Sequence, residues 1–139
     1  MKNEITKRQD LKITKIKDIV KLLTTSIVPL AQERYHLYSL PSFDNGQTRE
    51  ELLGAEIQSN KYIVPDKCIL FNKLNVRFKR VWCIDNHDAN KICSTEFLPL
   101  VVDETKVDYS FFVSISLYLN LLRIVYADKT LTHQVVINE

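Results

Sequence analysis

A chain of 139 residues, 45% of them hydrophobic, has enough apolar material to bury a core and reads as one folded domain, not a disordered segment. The formal net charge of +2 excludes bulk attraction to a polyanion, so any such affinity has to come from local clustering. The only two glycines, Gly46 and Gly54, exclude the Gly-rich loops that cradle dinucleotides, nucleoside triphosphates or a methyl-donor cofactor, and no cofactor is expected.

Residues 1–10 are polar and are expected to fray. Ile13, Ile16, Ile19, Val20 and Leu23 then recur at three- and four-residue steps, which predicts a short amphipathic helix entered from a short strand. Lys12, Lys15, Lys17 and Lys21 lie off that stripe, either as a solvated face or as a phosphate-facing edge. Pro29 and Pro41 bracket a stretch carrying Tyr35, Leu37 and Leu40, followed by the turn signal Asp44-Asn45-Gly46, so strand, loop and turn are expected in that order. Between residues 56 and 100, short apolar runs at 62–64, 68–71, 81–84 and 97–102 are separated by Pro65-Asp66 and by Asp85-Asn86-His87-Asp88, which suits strands. The uncharged stretch between Asp108 and Arg123 is shorter than the roughly 20 apolar residues of a membrane span. With Phe111, Phe112, Val113, Ile115, Leu117, Leu119, Leu121 and Leu122 it predicts a buried helix, whole or broken into two. The fold class expected is therefore α+β, a twisted β-rich centre with packed helices, in a single domain over residues 1–139.

Cys68, Cys83 and Cys93 are odd in number and lack C-x-x-C spacing, a pattern of thiols in a reducing compartment and not of a zinc site. The first dozen residues lack an apolar signal core, so a cytoplasmic location without a membrane is expected. His36, His87 and His133 are scattered, with no metal-ligand spacing.

The densest chemistry lies in Lys73-Leu74-Asn75-Val76-Arg77-Phe78-Lys79-Arg80-Val81-Trp82. Lys73, Arg77, Lys79 and Arg80 are of the type that neutralises phosphates, while Leu74, Val81 and Trp82 are of the type that anchors a segment to a core. Base edges are read by Asn, Gln and Arg, whose paired donors and acceptors match adenine or guanine. The candidates are Asn45, Gln47, Arg49, Gln58, Asn60, Asn72 and Asn75, although Asn45 beside Gly46 also suits a plain turn and Asn75 a local cap.

Three phrases extend this reading. The basic segment is similar to the K-L-N-P-R-x-x-R-V-W phrase of the target-recognition domains of type I restriction-modification specificity subunits. Cys93-Ser94-Thr95-Glu96-Phe97-Leu98-Pro99-Leu100 resembles their A-S-T-E-F-x-x-L phrase, and Tyr38-Ser39-Leu40-Pro41-Ser42-Phe43-Asp44 their Y-S-I-P-A-[FY]-D phrase. Thr132-His133-Gln134-Val135-Val136 echoes a later S-x-H-Q-R-V strand, with Val135 at the arginine position, and Val76 stands where the family has proline. The resemblance covers the chain from about Lys12 to Val136. It implies a non-catalytic module that binds double-stranded DNA, selects a half-site, and targets methyltransferase and endonuclease subunits to it. Because the chain ends at Glu139, where a spacer helix would begin, a half or truncated specificity subunit, or an exchangeable recognition cassette, that folds and binds DNA weakly but does not assemble the full complex is expected. Phrases shared by proteins reading different targets cannot encode the target, so Lys73, Arg77 and Arg80 are assigned to phosphate contact or scaffold and Ser94, Thr95 and Glu96 to structure. Base readout is assigned to the departing loops, 45–51 and 85–91.

Two other classes compete. Pro65-Asp66 with Glu104-Thr105-Lys106 is a loose match to a Mg²⁺-dependent nuclease pattern. Alternatively, the apolar 111–122 region forms a protein-interaction surface without DNA binding.

Overall fold

The computed structural model describes residues 11–72, 80–118 and 134–138. In chain order the elements are β1 (Leu11–Lys15), β2 (Val20–Leu22), β3 (Ser26–Ile27), β4 (Arg34–Tyr38), α1 (Leu40–Asp44), β5 (Glu50–Leu53) and β6 (Lys61–Ile63). There follow β7 (Lys67–Asn72), β8 (Val81–Asp85), β9 (Lys91–Ser94), β10 (Phe97–Val102), α2 (Tyr109–Tyr118) and β11 (Gln134–Asn138). The fold is α+β with a β-rich centre, and the chain divides into two compact units, Met1–Lys21 with Val102–Glu139, and Leu22–Val101.

In the first unit β1 pairs antiparallel with β11, from Leu11 opposite Asn138 to Lys15 opposite Gln134. The amphipathic helix expected at 13–23 is not there. The end of β1, a single 3-10 turn at Ile16–Asp18 and all of β2 occupy that stretch. Ile13 and Thr14 in β1 and Val20 in β2 are β-branched and stiff at χ1, which favours extended backbone once a partner strand is present. Ile16, Ile19 and Val20 are buried, as are Val107 and Phe112 in this unit. The Asp108 carboxylate accepts from the Phe111 N–H at 2.9 Å and caps the start of α2. That helix covers the first part of the apolar run; Leu119, Leu121 and Leu122 lie outside the described residues, as do residues 1–10, Thr132 and His133. No described helix is long and apolar enough to cross a membrane.

The second unit holds a five-stranded sheet, β3-β6-β9-β4-β5, in which only β4 and β9 run parallel. A second sheet places β7 between β10 and β8, antiparallel on both sides. β8 alternates as a half-buried strand, Trp82 and Ile84 inward and Cys83 and Asp85 outward, whereas β7 is buried from Cys68 to Asn72. Tyr38 and Cys93 from the first sheet, and Cys68, Leu70, Trp82, Ile84 and Phe97 from the second, form one core cluster with Val64. Tyr35, Leu37 and Ile92 form a smaller cluster with Ile27, Leu52 and Ile57.

Strands were expected at 62–64, 68–71, 81–84 and 97–102, and β6, β7, β8 and β10 stand there to within a residue or two. α1 replaces the loop expected after β4. Ser39 is its cap: the Ser39 Oγ accepts from the Ser42 N–H at 3.2 Å, and the Ser42 Oγ accepts from the Ser39 N–H at 3.0 Å. Gly46 (φ 87°) and Gln47 (φ 53°) then turn the chain into β5, where left-handed backbone suits the glycine.

Candidate nucleic-acid interface

The three sequence phrases meet around Trp82, which is 6% exposed. Its indole makes edge-to-face contacts with Tyr38 (4.8 Å between centroids) and Phe43 (5.7 Å) of the first phrase and with Phe97 (6.2 Å) of the third. Trp82, Tyr38 and Phe43 thus act as core, the role such aromatics take inside a β run. Beside this cluster the Arg80 Nε donates to Asp44 Oδ1 at 2.9 Å and its Nη2 to Asp44 Oδ2 at 3.0 Å. The guanidinium holds the Asp44 carboxyl below the usual carboxylate range. Arg80 therefore fastens α1 to β8 and takes the scaffold alternative among its two assigned roles.

The remaining cations, Lys73, Arg77 and Lys79, together with Leu74 and Asn75, lie outside the described residues. The chain enters and leaves that segment at Asn72 and Arg80, where the Asn72 N–H donates to the Arg80 carbonyl at 3.1 Å. Asn72 itself corrects an expectation. It is fully buried, so it is withdrawn from the base-reading candidates. Gln58 and Asn60 are exposed on the connection from β5 to β6.

Loops 45–51 and 85–91 come together. The Arg49 Nη2 lies 2.7 Å from Asp88 Oδ2 and 3.9 Å from Glu51 Oε1. The His36 Nδ1–H donates to the Ala89 carbonyl at 2.6 Å, while its Nε2 lies 3.5 Å from Glu51 Oε1. The Asn86 Nδ2 donates to the Tyr38 hydroxyl at 3.2 Å, and its Oδ1 accepts from the Asp88 N–H at 3.1 Å. Burial pushes the Tyr38 phenol up, so it keeps its proton at neutral pH. Asn45 and Gln47 are exposed at the tip of the turn. A cleft of about 210 Å³ runs between the turn and β8, lined by Tyr38, Gln47, Thr48, Arg49, Trp82, Cys83, Ile84 and Asn86.

Sequence reasoning missed the support for this junction. The Lys91 side chain is 1% exposed, its ammonium donates to the Asn86 carbonyl, and it lies 3.6 Å from Asp66 Oδ1. The Asp66 carboxylate accepts from His87 Nδ1 at 2.7 Å, which keeps its carboxyl below the usual range. Lys91 and Asp66 thus pin the 85–91 loop. The signal available was a lysine placed between a polar turn and an apolar strand, which periodicity alone does not single out.

For the nuclease pattern, Asp66 belongs to the second unit and Glu104 and Lys106 to the first. Lys106 donates to the Asp18 carbonyl at 3.0 Å and lies 3.8 Å from Asp103. Among the described residues no three His, Cys, Asp or Glu side chains are grouped so as to hold a metal ion. Cys68, Cys83 and Cys93 are all thiols. No protein-family model and no curated protein sequence matches the chain.

Proposed function

We propose that this protein is a non-catalytic DNA-reading module that binds a short duplex half-site and directs methyltransferase and endonuclease subunits to it. The observation that carries the reading is the convergence of the two loops assigned to base readout, 45–51 and 85–91, through Arg49 and Asp88, beside Arg80, where the basic segment ends. The arginines at the junction carry no surplus charge, because Arg80 faces Asp44 and Arg49 faces both Asp88 and Glu51. Phosphate neutralisation is therefore the task of Lys73, Arg77 and Lys79, with Arg80 holding the frame. The thiols suit a reducing cytoplasm.

Counterion release sets the test. Three phosphate contacts at about 0.9 each give a slope of roughly −2.7 for log affinity against log salt. Arg77→Ala with Lys79→Ala should lower its magnitude by about 1.8 while the circular dichroism spectrum is unchanged. Absence of binding at low salt, or a slope that ignores both substitutions, would overturn the reading.

A further inference from the structure

We propose that the cleft between the 45–49 turn and β8 takes the major-groove edge of a guanine, with Arg49 and Tyr38 as its two hydrogen-bond donors. The inference rests on the DNA-reading function above and names the base that the site selects.

The donor inventory carries it. The Arg49 Nε is buried and has no partner among the described residues, while the Nη2 of the same guanidinium is held by Asp88 at 2.7 Å. Nη2 is anchored by the protein, and the Nε–H beside it on the same edge of the guanidinium is unmatched. Tyr38 supplies the second donor. Its hydroxyl oxygen already accepts from Asn86, whose amide orientation is fixed because its Oδ1 accepts from the Asp88 N–H. The phenolic proton therefore points to a partner other than Asn86, and none stands among the described residues. Both side chains line the cleft, and no carboxylate does. Buried donors without acceptors are costly, and a ligand presenting two acceptors side by side removes that cost.

Among base edges in the major groove, guanine alone offers two acceptors, N7 and O6, with no donor between them. Adenine pairs an acceptor with an amino donor, and cytosine offers an amino donor. A phosphate shares the acceptor chemistry, so the experiment has to separate a guanine from the backbone.

The purified chain and its Tyr38→Phe and Arg49→Gln variants are each used to select from a randomised duplex pool at low salt. The wild-type motif is expected to contain an invariant guanine; Tyr38→Phe should lose discrimination at that position alone, by roughly 5- to 150-fold, and Arg49→Gln should lose it there while also loosening the loops that Asp88 joins. Replacing that guanine with 7-deazaguanine should weaken wild-type binding by a similar factor and leave the variants unaffected. Tyr38→Phe keeps the ring on Trp82, and thermal melts confirm that both variants fold. Uniform weakening across all sequences would overturn the guanine site in favour of a phosphate contact. A motif that survives both substitutions overturns it outright. Failure of the wild-type chain to retain any duplex overturns the DNA-reading function and this inference together, an outcome distinct from either of those.

Discussion

Trp82 is the residue most open to two physical readings, and its replacement separates them. Large-to-small core changes of this size cost about 3–5 kcal/mol. Trp82→Ala falls at the upper end, because three edge-to-face contacts, at 4.8, 5.7 and 6.2 Å, vanish with the indole. For a chain of this length that lowers the melting temperature by roughly 10–15 °C. Trp82→Phe, which keeps an aromatic ring, should cost only about 1–2 kcal/mol. The assay is thermal unfolding followed by circular dichroism, with fluorescence as a second probe, since Trp82 is the chain's only tryptophan. Native emission should be blue-shifted and insensitive to added DNA. An unchanged melting temperature with lost DNA affinity, or quenching of native emission by DNA, would refute the core assignment and make Trp82 a base-stacking residue.

Of the three thiols only Cys83 is exposed, and burial pushes Cys68 up to about 12, so a thiol reagent should label one cysteine rapidly in the native protein and all three in denaturant. Fast native labelling of Cys68 or Cys93 would mean that the sheets do not pack as described. Arg80 depresses the Asp44 carboxyl and His87 that of Asp66; because both folded values lie below the unfolded one, the stability they contribute is present above about pH 4 and is lost as the pH falls through the folded values. Asp44→Asn should flatten the acid limb of melting temperature against pH, and an acid limb identical to wild type would contradict the Arg80 pairing. A Cβ added at Gly54 would lie 1.9 Å from the Leu30 carbonyl oxygen, so Gly54→Ala forces a backbone shift and should destabilise by about 1–3 kcal/mol in urea unfolding. A neutral Gly54→Ala would show that the 30–33 loop yields at no cost.

The strands of the β-rich centre were legible because short apolar runs ended at strong breakers, Pro65-Asp66 before β7 and 85–88 after β8. The 13–23 stretch was misread because its isoleucines satisfy a helical spacing, while the feature that decides its conformation, pairing with β11, comes from the far end of the sequence. α1 escaped because a five-residue helix has no periodicity to detect and depends on the reciprocal Ser39 and Ser42 hydrogen bonds. At the candidate site, loops 45–51 and 85–91 were legible as regions, but their junction was not. It follows from the parallel register of β4 and β9, which sets His36 opposite Lys91 and brings Tyr38 within reach of Asn86. Asn72 looked like a surface amide because burial at the end of a central strand is a tertiary fact.

The central claim is that this chain reads duplex sequence. Its most direct test is retention of a randomised duplex library by the purified chain at low and moderate salt, followed by sequencing of what is held. The account predicts retention that falls steeply with salt and enrichment of one short motif. Retention without a motif, or no retention at low salt, would contradict it.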